Sequence, residues 1–319
     1  TIFWNTEFES KISSIMEQCN IVFLNSNEHA RAVITVETRD ARFKKWIKVK
    51  FPKHIYKKAA DMIYPIRAIK GLEEVSLIQK ACDITKIGVS KVISTLKPGI
   101  YEYEIEAEII REFLLNKSRG FAYDPIIASG SNACILHYGS NNEVCKDGDV
   151  VLMDFGAEYA NYASDLTRCF PVNGRFTKRQ KKIYNAVLNV MKQSKNILKP
   201  GIVLSEYEKE VGSFMEKELV DLGLISSREV SKSTGTPAYK KYYMHGTSHH
   251  LGLDVHDVSG PNQILSEGMV LTCEPGIYVP EEGIGIRLEN DILITSNGHV
   301  DLMNEIPIEA DEIEELMNI

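Results

Sequence analysis

The sequence predicts an α+β fold of two related halves, preceded by part of a small α/β domain, with the division near residue 66 (1–66 and 67–319). Three observations carry that expectation. LKPGI occurs at Leu96–Ile100 and again at Leu198–Ile202, each copy preceded by an amphipathic helical pattern and followed by a Glu-rich one (YEYEIEAEIIREFLL and VLSEYEKEVGSFMEKEL). A Pro-Gly pair is ordinary punctuation between helices, so one copy means little, but two in matched context point to duplication. KDGDVVLMDFG at Lys146–Gly156 is then echoed by SEGMVLTCEPG at Ser266–Gly276, each with a Gly turn, an apolar strand, an acid and a Gly two residues on. At an offset of 120, Gly148 meets Gly268, Asp154 meets Glu274 and Gly156 meets Gly276, while His137 and His256 fall 119 apart. Finally, 319 residues at roughly 150 per domain suggest two domains, and 44% hydrophobic residues supply a core.

Residues 1–66 alternate short apolar strands (Ile21–Leu24, Ala32–Val36) with polar helical stretches and hold no cluster of ligand-type side chains. His29 and His54 are isolated there and are expected to be structural or solvated. The first residues, TIFWNTEF, lack an initiator Met and read as the interior of a fold, so a region upstream is expected and a removed signal peptide stays open. From RAIKGLEE (Arg67–Glu74) onward the pattern turns helical, and the remainder reads as one larger domain.

The stretch on which that domain turns is VVLMDFGAEYANYASDLTR, Val150–Arg168. Four apolar residues in a row mark a buried strand, so Asp154 emerges from an interior where a lone carboxylate is costly. A hairpin turning near Glu158–Asn161 would return Asp165 beside it. Two carboxylates in one dry site repel unless they share a proton or a cation. The plain alternative is that Asp154 starts a turn and Asp165 is solvated.

MHGTSHHLGLDVHD (Met244–Asp257) carries four histidines in fourteen residues, with Gly246, Gly252, Thr247 and Val255 favouring strand and loop over helix. HExxH is absent, which excludes a helical zinc-protease site. Strand alternation places His245, Thr247 and His249 on one face and His250 on the other, and a bend near Gly252 is needed to bring His256 inward. His250 and His299 are expected to be hydrogen-bonded core or surface residues. EPGIYVPEEGIGIRLENDILIT (Glu274–Thr295) reads as strand, turn and strand, returning Glu289 toward Glu274 as Asp165 returns toward Asp154. Four carboxylates and one imidazole carry about four negative charges, which two divalent ions would neutralise. Oxygen-rich ligands with one histidine suit Mn²⁺, and Co²⁺ or Zn²⁺ less distinctively. Two such ions sharing a water and polarising a carbonyl are the machinery of hydrolysis.

At these residues the chain resembles the pita-bread metallopeptidases, and most closely the Xaa-Pro aminopeptidases, with prolidases next. The resemblance runs from about Arg67 to the C-terminus. It implies a ligand set of Asp154 and Asp165 (DFGAEYANYASD), His249 (HGTSHHLG), Glu274 (CEPG) and Glu289 (GIRLEND), with Asp165 and Glu289 bridging two metal ions. It also implies a bridging hydroxide as nucleophile, Glu274 as the group that takes its proton, and His137, His245 and His256 as substrate-holding histidines. Arg287 matches an arginine that supports the ligands, and Tyr123 a tyrosine in a similar supporting place. Substrates would be peptides with proline second, and assembly a homo-oligomer, dimer or tetramer. Only the second half of the family's amino-terminal domain has a counterpart here. Two alternatives stay open: a prolidase restricted to Xaa-Pro dipeptides, and, from another class, a pita-bread binding module without catalysis. Methionine aminopeptidase fits GTSHHLGLDVHD and GIRLENDI less well.

Composition excludes other partners. The net charge of −7 is dispersed and leaves no electrostatic footprint for nucleic acid or an anionic membrane, and no apolar run reaches the roughly 18 residues of a membrane span. Six cysteines without a CxxC pair fit free thiols in a reducing compartment, which makes the cytoplasm the expected location. The acidic end, EADEIEELM, is expected to be a short helix packing Ile313 and Leu316.

Overall fold

The structure is a computed structural model that describes residues 2–26, 35–258 and 263–318. They fall into two compact units, Thr1–Arg67 and Ala68–Ile319. The first holds α1 (Phe8–Met16), β1 (Ile21–Leu24), α2 (Arg39–Lys50), β2 (Ile55–Lys58) and most of α3 (Ala60–Ala68). β1 and β2 pair in parallel with Ile21 opposite Ile55, over a small core of Met16, Leu24 and Ile47. His54 Nε2 donates to the Met16 carbonyl at 2.8 Å, a structural bond. His29 and most of the expected strand Ala32–Val36 lie outside the described residues; its last residue, Val36, is exposed and outside any strand.

The second unit opens with α4 (Leu72–Thr95) and α5 (Glu102–Leu115). The side chain of Glu74 accepts from the Gly71 N–H at 2.8 Å, satisfying a donor that the helix start would leave unpaired. Ile78, Ala81, Cys82, Thr85, Gly88, Val89 and Val92 form one buried stripe along α4 at helical spacing. β3 (Ile126–Ser129), β4 (Val150–Asp154), the short hairpin β5 (Glu158–Tyr159) and β6 (Tyr162–Ala163), and β7 (Thr167–Pro171) follow. The second half repeats the plan with α6 (Lys178–Ile197), α7 (Leu204–Asp221), a short α8 (Ser227–Lys232), β8 (Val270–Cys273), the hairpin β9 (Gly276–Val279) and β10 (Ile284–Arg287), and β11 (Asn290–Thr295). β12 (Gly298–Asp301) and α9 (Ala310–Leu316) close the chain.

The duplication is visible in the pairing. β4 lies antiparallel between β3 and β7, and β8 lies antiparallel to β11 on one edge. On its other edge β8 meets an isolated bridge, His250 to Leu271, where β3 sits in the first half. Each half therefore runs central strand, acid, hairpin, acid, outer strand. Gly148 and Gly268 both enter their central strand at positive φ, 84° and 85°, a conformation that favours glycine in both copies. Between these sheets and helices lies one continuous core that includes Val151, Phe155, Leu166, Val187, Leu271 and Ile292.

The end of the chain differs from expectation in one respect. α9 buries Ala310 and Ile313, but Leu316 is 36% exposed because the helix ends there and its last turn faces water. No helix among the described residues is long and apolar enough to cross a membrane. All six cysteines are free thiols.

Candidate metal centre

Two acidic strand ends and two hairpin returns converge. Ligand atoms of Asp165, His249 and Glu289 lie within 4.8 Å of one another, a group that could hold a cation. His249 Nε2 is 3.3 Å from Asp165 Oδ2 and 3.5 Å from Glu274 Oε1. Its Nδ1 lies 3.0 Å from the His250 carbonyl; a carbonyl only accepts, so Nδ1 carries a proton and Nε2 faces the carboxylates. That orientation is what a metal-ligating imidazole needs.

Asp154 and Glu274 stand at the edges of this group. The Tyr123 hydroxyl reaches Asp154 Oδ1 at 2.6 Å and Asp165 Oδ1 at 2.5 Å. With one proton it donates to one oxygen at a time. Burial raises the Asp154 carboxyl, Arg287 opposes that, and the Asp165 charge adds to it. Arg287 Nη2 lies 2.5 Å from Asp154 Oδ2, its Nε donates to the Thr167 hydroxyl at 3.0 Å, and Thr167 donates to Glu289 Oε2 at 2.6 Å. Arg287 Nη1 donates to the Tyr278 hydroxyl at 2.9 Å.

The electrostatics fit a missing positive charge. Burial, then the charges of Asp165, Glu274 and Asp154, push the Glu289 carboxyl well above the ordinary range, with Arg287 opposing. Burial lifts Glu274 to about 7 despite His249 and Arg287. Burial alone would depress His249, but its hydrogen bond to Asp165 and the charges of Glu274 and Asp165 raise it to about 9. A cation would relieve this crowding of buried carboxylates, and the donor set of oxygens plus one imidazole fits divalent ions.

His245 and His256 stand beside this group. His245 Nδ1 lies 2.7 Å from the Gly246 carbonyl, so Nε2 accepts from the Tyr278 hydroxyl at 2.7 Å; Nδ1 is 3.8 Å from Glu274 Oε2. Burial, then the Arg287 charge, depresses His245 to about 3, with smaller contributions from Lys240 and His137. The His256 ring lies 4.1 Å from the His249 ring, centroid to centroid. His137 and His256 are both exposed.

Two expectations about the histidine segment need correction. Thr247 does not share a face with His245 and His249: it is buried, with its hydroxyl 2.6 Å from Tyr243 and 3.1 Å from Glu208. The segment is not a regular strand, because its N–H groups turn toward Glu208 and break the alternation. His250 is buried but has no hydrogen-bond partner on either ring nitrogen, and burial with the nearby Lys70 charge depresses it to about 3. His299 does pair, Nδ1 to the Leu198 carbonyl at 3.2 Å.

Sequence reasoning missed Thr167, Tyr278, Glu208 and Asp291. Asp291 is buried and accepts from the Asp165 N–H at 3.0 Å and the Cys82 thiol at 3.4 Å. Asp291 follows Glu289 by two residues as Thr167 follows Asp165, a matched spacing that was the available signal; Tyr278 and Glu208 offered none comparable.

Fold and site together define a class: an α+β protein of duplicated halves whose seam gathers carboxylates and one imidazole suited to divalent cations. Residues 76–296 match metallopeptidase family M24, and the chain belongs to that family. Its second unit has the pita-bread fold. It is 44% identical over 269 residues to a Xaa-Pro aminopeptidase of Haemophilus influenzae, covering 81% of this chain and 62% of that protein. The Xaa-Pro aminopeptidase of Escherichia coli is 42% identical over 268 residues, with 80% and 60% covered. The chain therefore spans about three fifths of the length of these curated relatives. Among solved structures, proline aminopeptidase P II from Yersinia pestis superimposes with a TM-score of 0.87 at 33% identity, covering 98% of this chain and 75% of that one. Zinc-substituted E. coli aminopeptidase P in complex with product gives 0.85 at 35% identity, covering 98% and 74%.

Proposed function

We propose that residues 67–319 form the catalytic domain of a metal-dependent hydrolase that releases the amino-terminal residue from peptides with proline second, and residues 1–66 part of an amino-terminal domain. The observation that carries this reading is the approach of Asp165, His249 and Glu289 to within 4.8 Å, inside the region matched to the family. The names of the relatives at 44% and 42% identity support the substrate class.

Asp154, Asp165, His249, Glu274 and Glu289 would hold two divalent ions, with Mn²⁺ the first choice for so oxygen-rich a set and Co²⁺ or Zn²⁺ the alternatives. When bound, such ions polarise a carbonyl and lower the pKa of water. Glu274 takes the proton of the attacking water and passes it to the leaving proline nitrogen, a transfer typically worth roughly 10² to 10⁴ in rate. Arg287 opposes the rise that burial imposes on the Asp154 carboxyl and keeps it aligned. Tyr278, donating to His245 Nε2, holds that imidazole neutral and oriented beside Glu274. His137 and His256, exposed near the cluster, hold the substrate and stabilise developing oxyanion charge. A proline amide nitrogen has no N–H to offer, so selection rests on the shape of the ring. Six free thiols support a cytoplasmic location, and a homo-oligomer is the expected assembly.

The test is mass spectrometry of products after incubating the purified chain with Mn²⁺ and a mixture of Xaa-Pro dipeptides and longer Xaa-Pro-Yaa peptides. Release of the first residue from the longer peptides is expected. Cleavage of dipeptides alone would make the protein a prolidase, and no cleavage by a chain that binds Mn²⁺ would favour the binding module. Asp165→Ala is expected to abolish both Mn²⁺ occupancy and turnover.

A further inference from the structure

Two helix-borne glutamates hold the histidine-bearing segments from behind, outside the ligand set. Glu102, the first residue of α5, is 0% exposed. Its Oε1 accepts from the Ser129 N–H at 2.8 Å and Asn132 Nδ2 at 3.3 Å. Its Oε2 accepts from the Tyr138 hydroxyl at 2.7 Å and the Glu143 N–H at 3.0 Å. These bonds tie down both ends of the segment from 129 to 143, and His137 lies between them.

Glu208 of α7 does the same in the other half. Its Oε1 accepts from the N–H groups of Thr247 at 2.9 Å and Ser248 at 3.1 Å. Its Oε2 accepts from the Thr247 N–H at 2.9 Å and the Thr247 hydroxyl at 3.1 Å. His245 and His249 stand on either side of these two residues. The two glutamates do comparable work from different helix positions, Glu102 as the first residue of α5 and Glu208 one turn into α7. Each lies on the helix that follows a copy of LKPGI, and each takes N–H groups from the segment flanking the central strand of its half. Ser129 pairs with Val151 and His250 bridges Leu271, with Val151 and Leu271 120 apart.

Burying a carboxylate is costly, and filling space would need only an apolar side chain. What these places demand is an acceptor-only group, because N–H donors converge on both oxygens. We propose that Glu208 and Glu102 are positioning residues, Glu208 setting His249 toward the cation site and Glu102 setting His137 toward the substrate. This rests on the reading of Asp165, His249 and Glu289 as a metal centre.

The test compares Glu208→Gln and Glu102→Gln in the full chain. Glutamine keeps the volume but offers one acceptor oxygen and sets an NH₂ against the N–H groups. Glu208→Gln is expected to weaken Mn²⁺ binding roughly 10- to 100-fold in calorimetric titration, the usual scale for a partner that orients a ligand. Glu102→Gln is expected to leave Mn²⁺ affinity within about twofold while lowering kcat/KM for a Xaa-Pro-Yaa peptide about tenfold or more. General destabilisation would instead lower Tm in both without separating the two readouts. Wild-type Mn²⁺ affinity in Glu208→Gln, or parallel loss of affinity in both variants, would overturn the proposal. Hydrogen exchange on the unaltered protein keeps it testable if a variant fails to fold: the Thr247 and Ser248 amides are expected to be protected as strongly as those of β8, and open-loop exchange would overturn it. A wild-type chain that binds Mn²⁺ but cuts no peptide would sink the proposed activity and leave the Glu208 arm standing.

Discussion

Arg287 of the second half holds Asp154 of the first, Nη2 to Oδ2 at 2.5 Å, with side chains only 5% and 14% exposed. The same guanidinium reaches Thr167 and Tyr278, so one side chain joins the acid of one half to the returning hairpin of the other. Removing one partner of a buried pair leaves the other uncompensated, at about 3 to 5 kcal/mol. Arg287→Ala is therefore expected to lower the stability of the metal-free protein by that amount at pH 8. Arg287→Lys should recover only part, because an ammonium cannot reproduce the planar fork. Urea unfolding checks this, as a shift in midpoint at constant m; an unfolding free energy within about 0.5 kcal/mol of wild type, the scatter of surface substitutions, would show that Asp154 is neutral there.

Tyr123 is the second tie on the same acid. Its hydroxyl bridges Asp154 and Asp165, and it is itself pushed well above the ordinary tyrosine range, first by burial and then by the charges of Asp154 and Asp165. It therefore stays a donor at any working pH. Tyr123→Phe is expected to weaken Mn²⁺ binding about 10- to 100-fold with little change in fold, since the ring remains. Calorimetric titration would show it, and unchanged affinity would mean that the carboxylates are aligned by Arg287 and the backbone alone.

What could be read in advance was whatever local chemistry imposes. Gly148 and Gly268 must turn at positive φ, and the buried runs of β4 and β8 each end in an acid, so the duplication and the four carboxylates stood out by spacing. What could not be read was set by distant partners. Thr247 turns away from the candidate metal centre because Glu208, 39 residues earlier, draws in its N–H and hydroxyl. Tyr278 matters because it meets His245, 33 positions away, and Arg287. Strand alternation assumes that side chains follow the pleat, and here the backbone follows a buried carboxylate instead.

Gly156 shows how closely the candidate metal centre is built on backbone. A Cβ at this position would come 1.8 Å from the Ser164 carbonyl oxygen and 2.5 Å from its carbon. Neither can retreat easily, because Ser164 is held by its N–H to the Ala157 carbonyl at 3.1 Å and leads directly into Asp165. Gly156→Ala is expected to cost at least the roughly 1 to 3 kcal/mol of an overpacked core and to separate Asp154 from Asp165. Both effects should appear together, as a lower Tm and weaker Mn²⁺ binding. A variant that lost stability but kept full Mn²⁺ affinity would show that the hairpin can shift as a body.

The pH dependence of the metal-free protein gives an independent reading of the charge balance. His249 is raised to about 9 in the fold from about 6.5 in an unfolded chain. A group raised on folding contributes stability that is fully present below its unfolded pKa and lost as pH climbs through its folded value. Between pH 7 and 9, therefore, deprotonation of His249 should steadily lower stability, and the raised Glu289 and Asp291 act in the same direction. Below about pH 6.5 the sign mixes, because His245 and His250, depressed to about 3, then favour the unfolded chain as it takes up protons. Divalent ions reverse the upper limb, since they replace those protons and bind more tightly as pH rises. The Tm of the metal-free protein is expected to fall from pH 7 to 9, and the increase in Tm on adding saturating Mn²⁺ to grow over the same range. A metal-free Tm that rises across this window, or a Mn²⁺ effect that does not change with pH, would mean that the four carboxylates are neutralised by something other than the protons on His249 and its neighbours.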